Sequence, residues 1–260
     1  MIERSPAGVV PLLEADLGPG ARGVFTTRAG GVSAGPWSAP AGAGGLNLGL
    51  HVGDDRAAVL ANRARLEAAV GTRIVWMDQV HGDVVREATG GTGTSAGECD
   101  ALVARAAAGV ALAVMVADCV PVLLAAADGS VVGAAHVGRQ GLVRGVLDAA
   151  VSRMAELGAA PSDVRAAVGP SVCGHCYEVP QPLQDEVEAV VPGTATTTSW
   201  GTPALDLRAG VLRQLSELGV SGVDTVHGCT MEDERLYSHR RAGRDGAGTT
   251  GRFAGVVRAL

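Results

Sequence analysis

His81 in "WMDQVHG", Cys119 in "VADCVP" and His136 in "GAAHVG" share one local setting. Each follows an apolar or alternating run and precedes glycine or a Val-Pro break, where a strand ends and can present a side chain to solvent. Neutral imidazole and thiolate are strong zinc ligands, and three protein ligands leave a fourth position for water or substrate. Such a site lowers the pKa of bound water towards about 7. A cysteine beside a histidine is equally a nucleophile beside its base. Taken singly, each residue also suits a core: free cysteine packs as a small hydrophobe, and a strand-end histidine as a hydrogen-bonded structural group. The spacing matches neither H-E-x-x-H nor H-x-E…P-C-x-x-C. The residues alone therefore leave a shared metal, a nucleophile pair and core filling open.

"CGHCYE" (173–178) competes for a metal. Cys173 and Cys176 have zinc-knuckle spacing and could join His227 or Cys229, but a single C-x-x-C is equally two reduced thiols or a redox pair. It is expected to be dispensable for chemistry, with metal content unchanged when both cysteines are replaced. The five cysteines are odd in number and sparse, which argues against an extracellular disulfide framework.

All 21 basic residues are arginine. Without lysine there is no Schiff-base or Walker chemistry, so an anion must be gripped by arginine, backbone N–H groups or a metal. "TTRAGGVS" (26–33), "YSHRRAGR" (237–244) and "TTGR" (249–252) combine arginine with glycine or hydroxyl residues in a way that suits phosphate or carboxylate. Arg28, Arg240 and Arg252 are the candidates for holding phosphate. The net charge of −6 gives no electrostatic footprint for nucleic acid or an anionic membrane. No apolar run approaches the roughly 20 residues of a membrane span, and "MIERSPAGVV" lacks a signal pattern. A cytoplasmic protein is expected.

The elements that position these residues read as follows. The hydrophobic fraction is 47% but aromatics are only 3%, so a core of Ala, Val and Leu is required, with glycine allowing close backbone approach. Strands are expected at 22–28, 73–81, 110–118, 121–126, 131–137, 164–168, 222–227 and 253–258. Asp128-Gly129 makes a hairpin between 121–126 and 131–137. Asp54 or Asp55 caps a helix over 56–70. Further helices are expected over 141–157, 181–191 and 206–218, and "GGTGTSAGE" (90–98) reads as a flexible loop. Hairpins mixed with helices, and no G-x-G-x-x-G between strand and helix, favour one α/β domain with mixed sheets over a nucleotide-binding doubly wound fold.

The motifs "TTRAGGVS", "NLGLHVGDD…NR", "DQVHG", "DALVA", "ADCVP", "AAHVG", "GPSVCGHCYEV", "CT" and "YSHRR…TGR" run in order from about residue 23 to 257. With them the chain resembles the laccase-domain, or YfiH-like, purine nucleoside phosphorylase family, which includes a peptidoglycan editing factor. The resemblance implies a single-domain, four-layer α/β/β/α mixed β-sandwich (α+β), related to cytotoxic-necrotizing-factor-like cysteine hydrolases. It implies zinc held by His81, Cys119 and His136, which are then also the catalytic residues, with copper the lesser alternative. It places substrate contacts at Asn47 and Gln79 beside the three arginines. The implied activity is phosphorolysis of adenosine, inosine, guanosine or methylthioadenosine to base and ribose 1-phosphate, or its methylthio analogue, together with adenosine deamination. One departure touches the anion: where the family commonly has Trp-Arg-Gly, this chain has Arg139-Gln140-Gly141, and Gln140 carries no charge for phosphate. Three other readings compete: a Cys119–His136 amidase-like hydrolase editing peptidoglycan precursors, a copper-dependent polyphenol oxidase, and a non-catalytic nucleoside- or protein-binding module. Oligomeric state is not legible in the sequence.

Overall fold

The structure, a computed structural model, describes residues 9–220 and 222–260. Residues 1–8, which hold most of the stretch read for a signal pattern, lie outside the described residues. No helix among the described residues is long and apolar enough to cross a membrane.

Two six-stranded mixed sheets carry the described residues, beside the short strand β3 (Ala29–Ser33) and an antiparallel pair, β12 (Ala195–Thr197) and β13 (Pro203–Leu205). The first runs β1 (Leu12–Ala15), β2 (Ala21–Thr26), β15 (Phe253–Ala259), β8 (Ala111–Val116), β4 (Ile74–Asp78), β6 (Ser95–Glu98). It is antiparallel as far as β8 and parallel from β8 through β4 to β6. The second runs β14 (Gly222–Thr225), β11 (Val164–Val168), β9 (Val120–Ala126), β10 (Val131–Val137), β7 (Ala101–Arg105), β5 (Val85–Glu87), with parallel pairs only at its two edges.

Side-chain alternation sorts these strands into three apolar layers. Along β8, Ala111, Ala113 and Met115 face outward, in one apolar cluster with Leu66 and Val70 of helix α1 (Arg56–Val70). Leu112, Val114 and Val116 face the second sheet, meeting Leu123 and Ala125 of β9 and Val132 and Ala134 of β10. The opposite faces of β9 and β10, with Val122, Leu124, Ala135 and Val137, pack on helices α3 (Val146–Glu156), α4 (Gln181–Val190) and α5 (Leu207–Glu217). The result is an α/β/β/α stack, as expected. Glycine does replace bulk in this aromatic-poor core: a Cβ at Gly169 or Gly255 would lie 2.3 or 2.8 Å from the ring of buried Phe25.

Three local expectations change. The 141–157 helix is two: α2 (Arg139–Arg144) ends at Gly145, whose φ of 83° caps it and starts α3. Residues 95–98 of the expected loop form edge strand β6, because Trp76 of β4 offers a parallel partner. The strand expected at 73–81 stops at Asp78, so His81 stands on a turn beyond it. The hairpin at Asp128-Gly129 and the cap at Asp55, which accepts the Ala57 N–H at 3.0 Å, form as expected.

Candidate metal centre

Cys119 sits where the chain leaves the first sheet for the second, in the short crossing between β8 and β9. His136 lies near the end of β10, on the face directed between the sheets, opposite Pro121 of β9. His81 follows β4 on a turn with φ of 61°, a left-handed conformation uncommon for a residue with a side chain. Three elements thus deliver the trio to one sheet end. The Cys119 Sγ and His81 Nε2 are 3.8 Å apart, and the two imidazoles meet edge to face with centroids 4.7 Å apart. All three donor atoms lie within 4.8 Å of one another.

Asp100, fully buried just before β7, organises this turn. Its Oδ1 accepts the His81 N–H at 2.9 Å and faces His136 Nδ1 at 2.8 Å. Its Oδ2 accepts the Val80 and Gly82 N–H groups at 3.2 and 2.6 Å. Three successive N–H groups converging on a carboxylate hold the left-handed turn in place. With Nδ1 engaged, His136 turns Nε2 towards Cys119 and the cavity. Burial opposes charge on Asp100, but the bonds from His136, Gly82 and Val80 hold its carboxyl below the usual range. Burial likewise pushes the Cys119 thiol up, yet His136 and His81 bring it down to about 6. His136 is pulled down by burial and raised to about 9 by Cys119 and Asp100.

The arrangement fits a metal. Zn–S near 2.3 Å and Zn–N near 2.0–2.1 Å at tetrahedral angles put sulfur and nitrogen about 3.6 Å apart, close to the 3.8 Å observed. Gly138 leaves the donors their room: a Cβ there would stand 2.8 Å from His81 Cδ2 and 3.1 Å from Cys119 Sγ. The trio could therefore hold one metal ion, with Asp100 fixing the ring of one ligand and the backbone of another.

These donors form one wall of a cavity of about 490 Å³. Gln79, Arg240 and Arg252 also line it, together with His51, Arg139, Gln140, Tyr177 and His239. The Gln79 amide is fixed by paired bonds to the Met115 backbone at 2.7 and 2.8 Å. The Arg240 guanidinium lies 4.2 Å over the Tyr177 ring and donates to the Glu178 carbonyl at 2.8 Å. Its backbone N–H donates to Asp118 Oδ2 at 2.8 Å, while Thr230 Oγ1 donates to Asp118 Oδ1 at 2.6 Å. Asp118, at φ of 100°, is thereby clamped beside Cys119. Burial first, then Arg252 and Arg63, lower the pKa of His51.

Arg28 and Asn47 do not line this cavity. The Arg28 guanidinium donates to the Ser38 carbonyl at 2.9 Å and stacks over Tyr237 at 4.8 Å. Buried Asn47 accepts the Arg252 N–H at 2.9 Å and so positions a lining residue from behind. Sequence reasoning did not single out Asp100, Asp118, Tyr177, His51 or His239. Asp100 carried one signal, an acid placed directly before a fully apolar run. The C-x-x-C cysteines gather with Cys229 and Glu232 in a separate group within 4.8 Å, which His227 does not join.

The family model described as multi-copper polyphenol oxidoreductase laccase matches residues 22–259. A purine nucleoside phosphorylase of Mycobacterium tuberculosis is 51% identical over 239 residues, 91% of each chain. A crystal structure of a Neisseria meningitidis protein of the DUF152 family superposes with a TM-score of 0.81 at 34% identity, covering 95% of this chain and 98% of that one. That of the Bacillus licheniformis hypothetical protein YfiH gives 0.80 at 28% identity over 92% and 93%. The motif order, the layered fold and these matches agree: this chain belongs to the laccase-like YfiH family, which includes relatives named purine nucleoside phosphorylase.

Proposed function

We propose that this one domain is a zinc-dependent purine nucleoside enzyme. It cleaves adenosine, inosine, guanosine or methylthioadenosine with phosphate and also deaminates adenosine. The observation that carries this reading is the shared cavity, where a His–Cys–His donor set faces Arg139, Arg240 and Arg252. Its volume lies within the roughly 300–1,000 Å³ of small-molecule sites. Zinc held by His81, Cys119 and His136 would supply a Lewis acid and an acidified water.

The remaining work falls to the protein's own groups. The arginines hold phosphate where charge separates between sugar and departing purine. Arg139 stands in for the charge that Gln140 lacks. Tyr177, backed by Arg240, offers an aromatic face, and His51 and the fixed Gln79 offer polar edges for a purine. Thiolate and imidazole ligands favour zinc over magnesium or calcium. The test is phosphate-dependent release of hypoxanthine from inosine, followed with elemental analysis of the same preparation. Cys119→Ser, His81→Ala and His136→Ala should each lose the zinc of this centre, about one equivalent per chain, and turnover, while circular dichroism stays unchanged. Copper in place of zinc, or phosphate-independent base release, would sink the assignment.

One arrangement favours a second reading. Cys119, His136 and Asp100 stand in the order nucleophile, base and orienting carboxylate, with the thiol already brought to about 6. That arrangement supports a cysteine hydrolase of amidase type, whose substrates would be cell-wall precursors. Activity abolished by thiol alkylation and inhibited by added zinc would select it.

A further inference from the structure

Outside the cavity, two turns of the same design face each other. In one, the Cys173 carbonyl accepts the N–H groups of Cys176 and Tyr177, both at 3.0 Å. In the other, the Cys229 carbonyl accepts those of Glu232 and Asp233 at 3.1 and 2.8 Å. A β-bridge between Ser171 and Cys229 sets the turns side by side. In sequence the pattern is C-x-x-C followed by C-x-x-E, the two-knuckle plan of a zinc ribbon with a carboxylate in the fourth place. In space the four donor atoms lie within 4.8 Å of one another, with Cys176 Sγ 3.6 Å from Glu232 Oε1. Cys176 and the bridge residue Ser171 are buried, so the group is anchored in the fold.

We propose that Cys173, Cys176, Cys229 and Glu232 bind a second metal ion, zinc, in a closed structural site. Three thiolates exclude hard cations such as calcium and magnesium. Tetrahedral thiolate–zinc geometry places sulfurs about 3.8 Å apart, which requires only a small contraction from the arrangement present. Four protein ligands leave no position for substrate, so the role is a staple. One turn continues into Val172 and Tyr177, which line the cavity. The other carries Thr230, whose hydroxyl holds Asp118 beside Cys119. The ion thus ties together two loops that frame the first centre. This assignment does not depend on the proposed activity, and it departs from the expectation that replacing the two knuckle cysteines leaves metal content unchanged.

The experiment counts metal in the full chain, purified under reductant without added metal. Wild type should carry about one more zinc per chain than Cys173→Ser/Cys176→Ser, whatever the first centre holds. In His136→Ala, which empties the first centre, the zinc of this second site should remain bound, and replacing it with Co(II) should give the thiolate-to-metal charge-transfer absorption of a sulfur-rich tetrahedral site. Should the double cysteine variant fail to fold, Glu232→Gln keeps every thiol and should release that zinc to a chelator at least tenfold faster. Equal metal in wild type and the double variant would overturn the proposal. So would a non-reduced wild-type chain lighter by two hydrogens, with two of these cysteines joined as a disulfide.

Discussion

Replacing Asp100 with asparagine should separate the fold's need for this carboxylate from the metal's. Asp100 receives two donors on each oxygen: His81 N–H and His136 Nδ1 on Oδ1, and Val80 and Gly82 N–H on Oδ2. An amide replaces one of the two acceptor oxygens with an NH₂ group, so either orientation turns that NH₂ towards two of those partners. Hydrogen bonds to a charged group contribute about 1.5–3 kcal/mol each, and the site is fully buried, so the variant should lose about 3–6 kcal/mol. At roughly 2–4 °C per kcal/mol for a chain of this size, the melting temperature should fall on the order of 10 °C. In the orientation that turns the NH₂ to His136, the ring keeps a bond only by accepting through Nδ1, which moves its proton to Nε2 and removes the lone pair a metal needs. Metal affinity should therefore fall about 10–100-fold. Because the wild-type carboxyl is held below the usual range, its contribution is present above about pH 4 and lost as pH falls through its lower folded value. Urea unfolding of the chelator-treated proteins at several pH values gives the first quantity, and competition against a chromophoric chelator gives the second. An apo variant within about 1 kcal/mol of wild type, binding zinc within threefold, would refute the role assigned to Asp100.

Gly138→Ala should fold normally, since its neighbourhood needs no positive φ, yet bind metal at least about tenfold more weakly because its methyl intrudes on His81 and Cys119; isothermal titration of the apo variant measures this, and unchanged affinity would count against the crowded site. In metal-free protein, iodoacetamide should alkylate Cys119 with a rate rising through about pH 6, while Cys99, pushed up to about 12 by burial, stays silent. Peptide mass spectrometry reads both, and a Cys119 midpoint near that of free cysteine would contradict the thiolate. Arg240→Ala should raise the KM for phosphate severalfold, whereas Arg28→Ala, which loses its bond to Ser38 and its stacking on Tyr237, should lower stability and leave that KM unchanged. Steady-state phosphate titrations beside thermal melts decide it, and equal KM effects would place Arg28 at the substrate.

Much of the fold was legible because apolar runs and turn residues act locally. Strand 164–168 has the same bounds in sequence and structure, and the Asp128-Gly129 turn forces the β9–β10 hairpin. What escaped depended on partners distant in sequence. β6 is polar and glycine-bearing, and becomes a strand only because Trp76 accepts it at the sheet edge. The 141–157 periodicity continues across Gly145, and nothing local announces that this glycine takes a left-handed turn between two helices.

The same division runs through the site. The three donors were readable because each terminates a hydrophobic run, but their support was not. His81 and Asp118 both adopt positive φ without being glycine, a conformation that costs of order 1–3 kcal/mol and persists only where surroundings over-determine it. Here the surroundings are Asp100, which gathers the backbone on either side of His81, and Thr230 with the Arg240 N–H, which hold Asp118. Asp100 lies 19 residues from His81, and Thr230 lies 112 from Asp118, so no window along the chain contains both strain and compensation. The crossing at 117–119 joins the two sheets and must place Cys119 between them. The positive φ at Asp118 sets the direction in which the chain enters Cys119. The clamp on Asp118 therefore supports the candidate metal centre although it contributes no ligand, and it reaches that site through Thr230, one residue from the second cysteine cluster.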